Sequence, residues 1–399
     1  MKRRILFVDD DSNILQGLQR MLRSMRGEWD MDFANSSQDA FAHLAQAPYD
    51  VIVSDVKMPG MDGVELLTAV RSQYPQMTRL LLTGQAGEET ILKAVGPAHQ
   101  FLSKPCDADM LKTTISRTCA LSAVLEDPTL KELASQMVTI PTLPSLYAEL
   151  VRTLEDPEST LERISTIVEK DMGMTAKILK LVNSAFFGLP RQISSPSQAI
   201  SYLGIETLKT LVLTVQVFEE LTPQAIAGFS VEALWEHSIQ TGEYARRIAQ
   251  AEGLDNSLIA DTLTAGMLHD VGALLLASQL PDQFTAAIEL SNTQHISLHV
   301  AEQQIMSASH AELGGYLLGL WGLRHPVVEA VAFHHQPKKL ESQQFTPLTA
   351  VHIANALHTE NMHTGQLRDG QGIQEDYIDS LNLTGHLSTW REICNASGL

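Results

Sequence analysis

Along the first third of the chain, short apolar runs alternate with longer segments whose apolar residues recur at helical spacing, the rhythm of repeating βα units. The runs Ile5 to Val8, Met31 to Ala34, Val51 to Ser54, Leu80 to Thr83 and Phe101 to Ser103 predict five strands. Ser12, Ser36 with Asp39 three residues on, Asp62 and Asp107 each precede an amphipathic segment and predict helix N-caps. Strands that read as continuous apolar runs belong in a parallel sheet covered by helices on both faces, so the expected fold is a doubly wound α/β domain. After about Leu125 the strand rhythm stops and the rest is all-α. Leu161-Ile164-Ile167-Val168 and Met174-Ile178-Leu181-Val182 repeat at helical spacing, and further helices are expected over Leu208 to Phe218, Ala233 to Ile248, Ile259 to Leu276, Ala311 to Leu320 and Val327 to Phe333. Pro, Gly and Ser mark the breaks, and a polar stretch from Pro337 sets off the C-terminal residues.

The length of 399 residues is more than twice the ~150 typical of one domain, so two or three domains are expected. With 44% hydrophobic and 19% charged residues, the composition is globular throughout. Lys and Arg number 28 against 47 Asp and Glu, a net charge of −19, and no basic block offers a phosphate-neutralising surface. Direct nucleic-acid binding is therefore not expected. Three scattered cysteines, Cys106, Cys119 and Cys394, fit a reducing compartment. Aspartates interrupt the N-terminal apolar run, and no stretch reaches the ~18 uninterrupted apolar residues of a spanning helix. A cytoplasmic protein without a membrane span is the expectation.

In an open parallel sheet, ligands bind at the carboxyl ends of the strands. Asp9, Asp10 and Asp11 follow the first strand, Asp55 the third, Lys104 the fifth, and Thr83 ends the fourth. Asp11 is read as a helix-capping, solvating residue. The other carboxylates repel one another unless a cation shares the site. Magnesium suits them, because it prefers oxygen ligands and leaves positions open for phosphate oxygens. One carboxylate can then attack phosphorus while metal and lysine neutralise the developing charge. Asp55, alone at its strand end before the Pro59-Gly60 turn, is the expected nucleophile.

VDDD at Val8 to Asp11, SDVKMPGMDG at Ser54 to Gly63, LLLTG at Leu80 to Gly84 and FLSKP at Phe101 to Pro105 resemble the four motifs of the receiver domain of two-component response regulators. The resemblance covers residues 1 to about 122 and implies a flavodoxin-like strand order 2-1-3-4-5. It also implies that Asp55 is the phosphoacceptor and that Asp9, Asp10, Asp55 and the Lys57 carbonyl hold Mg2+. Thr83 and Phe101 become the switch pair, Lys104 a phosphoryl contact, and the Lys104-Pro105 peptide cis. A histidine kinase or phosphotransfer protein is the implied phosphoryl donor. Phosphorylation adds roughly one and a half to two negative charges and biases two packings of the receiver surface.

Most of the 14 histidines lie beyond residue 230. His237, His269-Asp270, His310 and His334-His335 fall in separate helical segments, whose imidazoles and carboxylate can converge on a transition metal. These segments resemble the HD superfamily of metal-dependent phosphohydrolases. The closer resemblance is to HDOD, a related helical module often lacking a complete metal site, through KDMGMTAKILKLVNSAFFGLPRQISSPSQAISYLGIETLKTLVL, Lys170 to Leu213. Against an active phosphodiesterase, Ala273 stands where HDxGK has lysine, Gln336 follows the paired histidines, and Asn355 takes the place of a metal-binding aspartate. Gly314-Gly315-Tyr316 is read as helix, not as a phosphodiesterase loop. The apolar stretches Leu211 to Phe218 and Ala185 to Phe187 are read as core.

The expected organisation is a receiver over residues 1–122, a helical linker over 123–139, an HDOD domain over 140–336 and a helical extension over 337–399. Phosphorylation of Asp55 would control a non-catalytic output acting on another protein or a second copy of the chain. The alternatives are a phosphorylation-gated HD-type phosphodiesterase and a cyclic-dinucleotide or nucleotide sensor.

Overall fold

The computed structural model describes residues 2–83, 97–121, 124–137, 140–156, 158–183, 192–209, 212, 226–340, 344–361 and 372–395. Gly84, the segment 185–187 and nearly all of 211–218 lie outside the described residues. The chain divides into two compact units, one made of Met1–Val138 with Lys180–Gln192 and Gly319–Gly322, the other of the remaining residues.

In the first unit, β1 (Arg3–Val8), β2 (Trp29–Ala34), β3 (Val51–Asp55), β4 (Thr78–Thr83) and β5 (Gln100–Ser103) form one all-parallel sheet of order β2-β1-β3-β4-β5. This is the doubly wound, flavodoxin-like arrangement expected. Several strands begin earlier than their apolar runs. Arg3 pairs with Trp29, and Thr78 pairs with Val51, so charged and polar residues extend the ladder without registering as hydrophobic. Ile5, Phe7, Val53, Leu80 and Leu82 are sealed from solvent beneath helices that contribute Leu15, Leu18, Leu111 and Ile115.

Three of the four expected caps form. Ser36 accepts from the Asp39 amide, Asp62 and Glu65 make a reciprocal capping box, and Asp107 accepts from the amides of Asp109 and Met110. Ser12 is a correction: it is the first residue of the helix Ser12–Met21, and Asp11 caps it by accepting from the Asn13 amide at 2.8 Å. An aspartate in extended backbone one residue earlier satisfies the orphan amides better than the serine.

A helix over Pro128–Gln136, capped by Asp127, closes this unit. Arg79 of β4, 1% exposed, donates to the carbonyls of Pro97 at 2.8 Å, Met77 at 3.0 Å and Ser135 at 2.5 Å. His99 lies 2.8 Å from the same guanidinium. The arginine thus ties the edge of the sheet to the end of that helix.

The described residues of the second unit are almost wholly helical. Helices run over Val231–Ala251, His310–Leu320, His325–Phe333 and Pro347–Asn361, with Gly314 to Tyr316 inside a helix as expected. Gly315 has a packing role: a Cβ there would lie 2.5 Å from that of Ala332. The helix expected over Ile259 to Leu276 is instead two, Asn256–Leu268 and Val271–Gln279, parted at His269-Asp270. Asp270 takes φ −100°, ψ 11°, and Gly272 then lies so close to His310 that a Cβ would stand 1.9 Å from its carbonyl oxygen. Periodicity continues through this junction because both helices are apolar all round. Taken together, Asn256–Gln279 has the length and composition of a membrane span, yet 78% of its most apolar window is buried within the protein.

Candidate functional site

At the carboxyl edge of the sheet, Asp9 follows β1 and Asp55 ends β3, and both are buried. Each holds one oxygen on a backbone amide: Asp9 Oδ1 accepts from Asp11 at 2.9 Å, and Asp55 Oδ2 from Lys57 at 2.8 Å. Lys104, after β5, bridges the remaining oxygens, donating to Asp9 Oδ2 at 2.6 Å and to Asp55 Oδ1. Burial alone would lower the ammonium pKa, but hydrogen bonds to Asp55 and Asp9 outweigh it and raise the value. Asp10 is exposed beside this group. Thr83 is buried at the end of β4, and Phe101 is buried on β5 opposite Leu81. The Lys104-Pro105 peptide is cis. Gly63 makes the close approach possible, since a Cβ there would sit 1.8 Å from the Asp55 carbonyl oxygen.

The donor set is carboxylate and carbonyl oxygen, two acids facing one shared lysine. It fits a hard divalent ion such as Mg2+, which takes oxygen ligands and few of them from protein.

The second site lies inside the helical unit. His237 on Val231–Ala251, His269-Asp270 at the helix junction, His310 at the start of His310–Leu320 and His334-His335 after His325–Phe333 do come together. His237, His269 and Asp270 offer ligand atoms within 4.8 Å of one another, as do His310, His334 and His335. Asp270 stands between the groups, with Oδ2 3.7 Å from His237 Nε2 and Oδ1 3.2 Å from His269 Nε2 and 3.4 Å from His310 Nε2. Burial would raise the Asp270 carboxyl, but attraction to the His269 and His310 imidazoles holds it well below the usual carboxylate range. Burial, reinforced by the charge of His335, pushes His334 well below its ordinary value, and burial with the charge of His237 brings His358 down to about 4. Asp270 is therefore held as the anion at the centre of the histidine cluster. Asn355 is buried nearby, and its Oδ1 has no hydrogen-bond partner among the described residues.

Sequence reading missed four members of this neighbourhood. Glu302 Oε2 lies 2.7 Å from His310 Nδ1, His299 stacks on His335 with ring centroids 4.1 Å apart, His358 Nδ1 lies 2.7 Å from His237 Nδ1, and His352 Nδ1 donates to the His334 carbonyl at 2.7 Å. A signal was present: His352, Asn355 and His358 recur every three residues along one helix, and His299 and Glu302 share that spacing.

A family model of the response regulator receiver domain matches residues 5–116, and one of the HDOD domain matches residues 140–337. The chain is a response regulator that joins a receiver to an HDOD domain. It is 30% identical over 223 residues to an uncharacterized protein of Treponema pallidum (strain Nichols), covering 56% of this chain and 43% of that one. It is 29% identical over 147 residues to the transcriptional regulatory protein ZraR of Klebsiella oxytoca, covering 37% of this chain and 33% of that one. The chain thus spans less than half the length of these curated relatives. Among solved structures, the MmoQ response regulator of Methylococcus capsulatus aligns with a TM-score of 0.49 at 20% identity, over 61% of this chain and 98% of that one.

Proposed function

We propose that the receiver takes a phosphoryl group on Asp55 and that this modification controls the HDOD output. One observation carries the reading: Lys104 bridges the carboxylates of Asp9 and Asp55 at the carboxyl edge of the sheet. Asp55 Oδ1 is the attacking atom. It forms the new O–P bond of an acyl phosphate as the P–N bond to the donor imidazole of a histidine kinase or phosphotransfer protein breaks. Asp9, Asp10, Asp55 and the Lys57 carbonyl would hold Mg2+, which when bound neutralises phosphoryl oxygens. The Lys104 ammonium transfers from carboxylate to phosphoryl oxygen, and the Thr83 hydroxyl donates to the same group. Movement of Thr83 frees space for the ring of Phe101 and alters the surface beside β5.

For the output, a protein–protein role on an unidentified partner or a second copy of the chain is favoured in a cytoplasmic protein. Ala273, Gln336 and Asn355 weigh against the phosphodiesterase alternative, because they replace a lysine, a glutamate and an aspartate and so remove a cation and two anions from positions where hydrolysis would use them. The His/Asp clusters keep a metal-dependent or nucleotide-sensing output as the second reading. The test is phosphoryl transfer from labelled acetyl phosphate with Mg2+. Asp55→Asn should abolish labelling, and labelling at the wild-type rate would remove the assignment.

A further inference from the structure

Within the helical unit, the helix Leu387–Asn395 buries one narrow face. Its sequence, LSTWREICN, sets Leu387, Trp390, Ile393 and Cys394 at helical spacing, while Ser388, Thr389, Arg391 and Glu392 are exposed. Trp390 and Cys394 are sealed from solvent. The helix packs against Val231–Ala251 and Pro347–Asn361, and Phe345 meets the Trp390 ring with centroids 6.1 Å apart. A short amphipathic helix anchored at i, i+3 and i+7 in a groove between two others is a recurring mode of peptide recognition.

Polar contacts fix the register of this helix in its groove. Glu252, the C-cap of Val231–Ala251, accepts on one oxygen from Trp390 Nε1 and from His386 Nδ1, both at 2.8 Å. At the other edge, Arg391 pairs with Glu360 at 3.5 Å. A buried tryptophan whose N–H is satisfied is the kind of side chain that dominates protein interfaces. The preceding helix, Glu375–Ser380, is anchored separately by the buried Tyr377 and Ile378, and the left-handed residue Asn382, φ 59°, lies between the two. The helix Leu387–Asn395 can therefore leave without it. Burial and the neighbouring Cys394 raise the Tyr244 hydroxyl above its ordinary value. The Tyr244 ring in turn meets His358 edge-on at 5.8 Å, so the groove adjoins the histidine cluster.

We propose that the groove between Val231–Ala251 and Pro347–Asn361 docks an amphipathic, tryptophan-bearing helix of a partner protein, and that the chain's own helix Leu387–Asn395 fills it in cis as an autoinhibitory strap. The strap states the chemistry of the partner: an aromatic anchor with apolar residues one turn to either side, N–H donors for Glu252 and a cation for Glu360. A tethered segment competes at an effective concentration of roughly millimolar, so the partner gains access when the strap is loosened. This assignment rests on the protein–protein reading of the output and names its surface. It needs no phosphorylation of Asp55. Loss of the docking groove would leave an output through another surface in place, and loss of Asp55 labelling would leave the groove in place.

The probe is a fluorescein-labelled peptide of residues 384–395, added to full-length protein and followed by fluorescence anisotropy. Trp390→Ala, checked for native helicity by circular dichroism, should bind the peptide at least roughly 10-fold more tightly than wild type, whose strap competes. Equal binding by the two, or binding by neither, overturns the docking groove. In the Trp390→Ala chain, Glu252→Ala should weaken peptide binding roughly 10-fold, as for loss of one charge-assisted hydrogen bond. Unchanged affinity overturns the part given to Glu252. Sedimentation of wild type should show no dimer that the peptide dissociates; such a dimer would give the groove to a second copy and overturn a separate partner. Since variants can misfold, the decisive measurement on unaltered protein is amide deuterium exchange. Residues 387–395 should exchange roughly 10-fold faster than Pro347–Asn361, as a separately opening segment does, and equal protection overturns the strap.

Discussion

The Lys104 ammonium lies 2.6 Å from Asp9 Oδ2, and the same nitrogen donates to Asp55. On the proposed reading, lysine and divalent cation would compete for the same oxygens. Lys104→Ala is expected to shift two quantities in opposite directions. Mg2+ affinity, measured by titration calorimetry, should rise several-fold. The rate of Asp55 phosphorylation should fall by roughly 100-fold, as for loss of one charge-stabilising donor. Parallel changes in both would contradict the competition.

Gly63 and Gly17 make a controlled pair. A Cβ on Gly63 would meet the Asp55 carbonyl at 1.8 Å, whereas nothing lies within 4 Å of one on Gly17, inside the helix Ser12–Met21. Gly63→Ala should cost about 3 kcal/mol and displace Asp55. Gly17→Ala should add up to ~1 kcal/mol through helix propensity. Urea unfolding of the two variants beside wild type measures both.

Arg79 offers a third prediction. Its guanidinium is buried and spends its donors on backbone carbonyls, including that of Ser135. Arg79→Met should destabilise the sheet unit by about 3 kcal/mol, because those carbonyls lose charge-assisted partners. The helix Pro128–Gln136 should loosen with it. Limited trypsinolysis after Lys131 is expected to accelerate, and an unchanged cleavage rate would show that the helix is held by other contacts.

Acid should weaken the metal-free helical unit through His352. Burial outweighs the hydrogen bond to the His334 carbonyl and lowers this group from 6.5 to about 4. In the neutral ring Nδ1 donates to that carbonyl and Nε2 accepts from the Gln374 amide at 3.0 Å. Between these pH values the unfolded chain binds the extra proton, so stability falls as pH drops from about 6.5 towards 4, by roughly 3 kcal/mol at the acid end. Melting temperatures across this range should show the loss, and His352→Phe should flatten it.

The sheet was legible because a buried parallel strand must be apolar along its length, and its carboxyl-end loops then hold whatever polar residues the site needs. That logic located Asp9, Asp55, Thr83 and Lys104 at one edge before any coordinates. It misplaced a cap by one residue at Ser12, where Asp11 competed for the same amides. It also ran one helix through His269-Asp270, since helices apolar on every face carry no phase to reveal a break. The pocket histidines were visible as motifs, whereas Glu302 and His358 carried only a three-residue spacing with His299 and with His352 and Asn355. Spacing places them on one helix face, but their approach to His310 and His237 depends on tertiary packing that it does not encode.

The junction between Asn256–Leu268 and Val271–Gln279 has a consequence for biosynthesis. By length and composition alone, the nascent stretch 256–279 would compete for lipid before its neighbouring helices are made. An aspartate near the middle of such a segment opposes partitioning by roughly 3 kcal/mol. The carboxylate at the centre of the pocket would therefore also weigh against lipid before the pocket exists, favouring release of the segment to water, where its neighbouring helices can cover it.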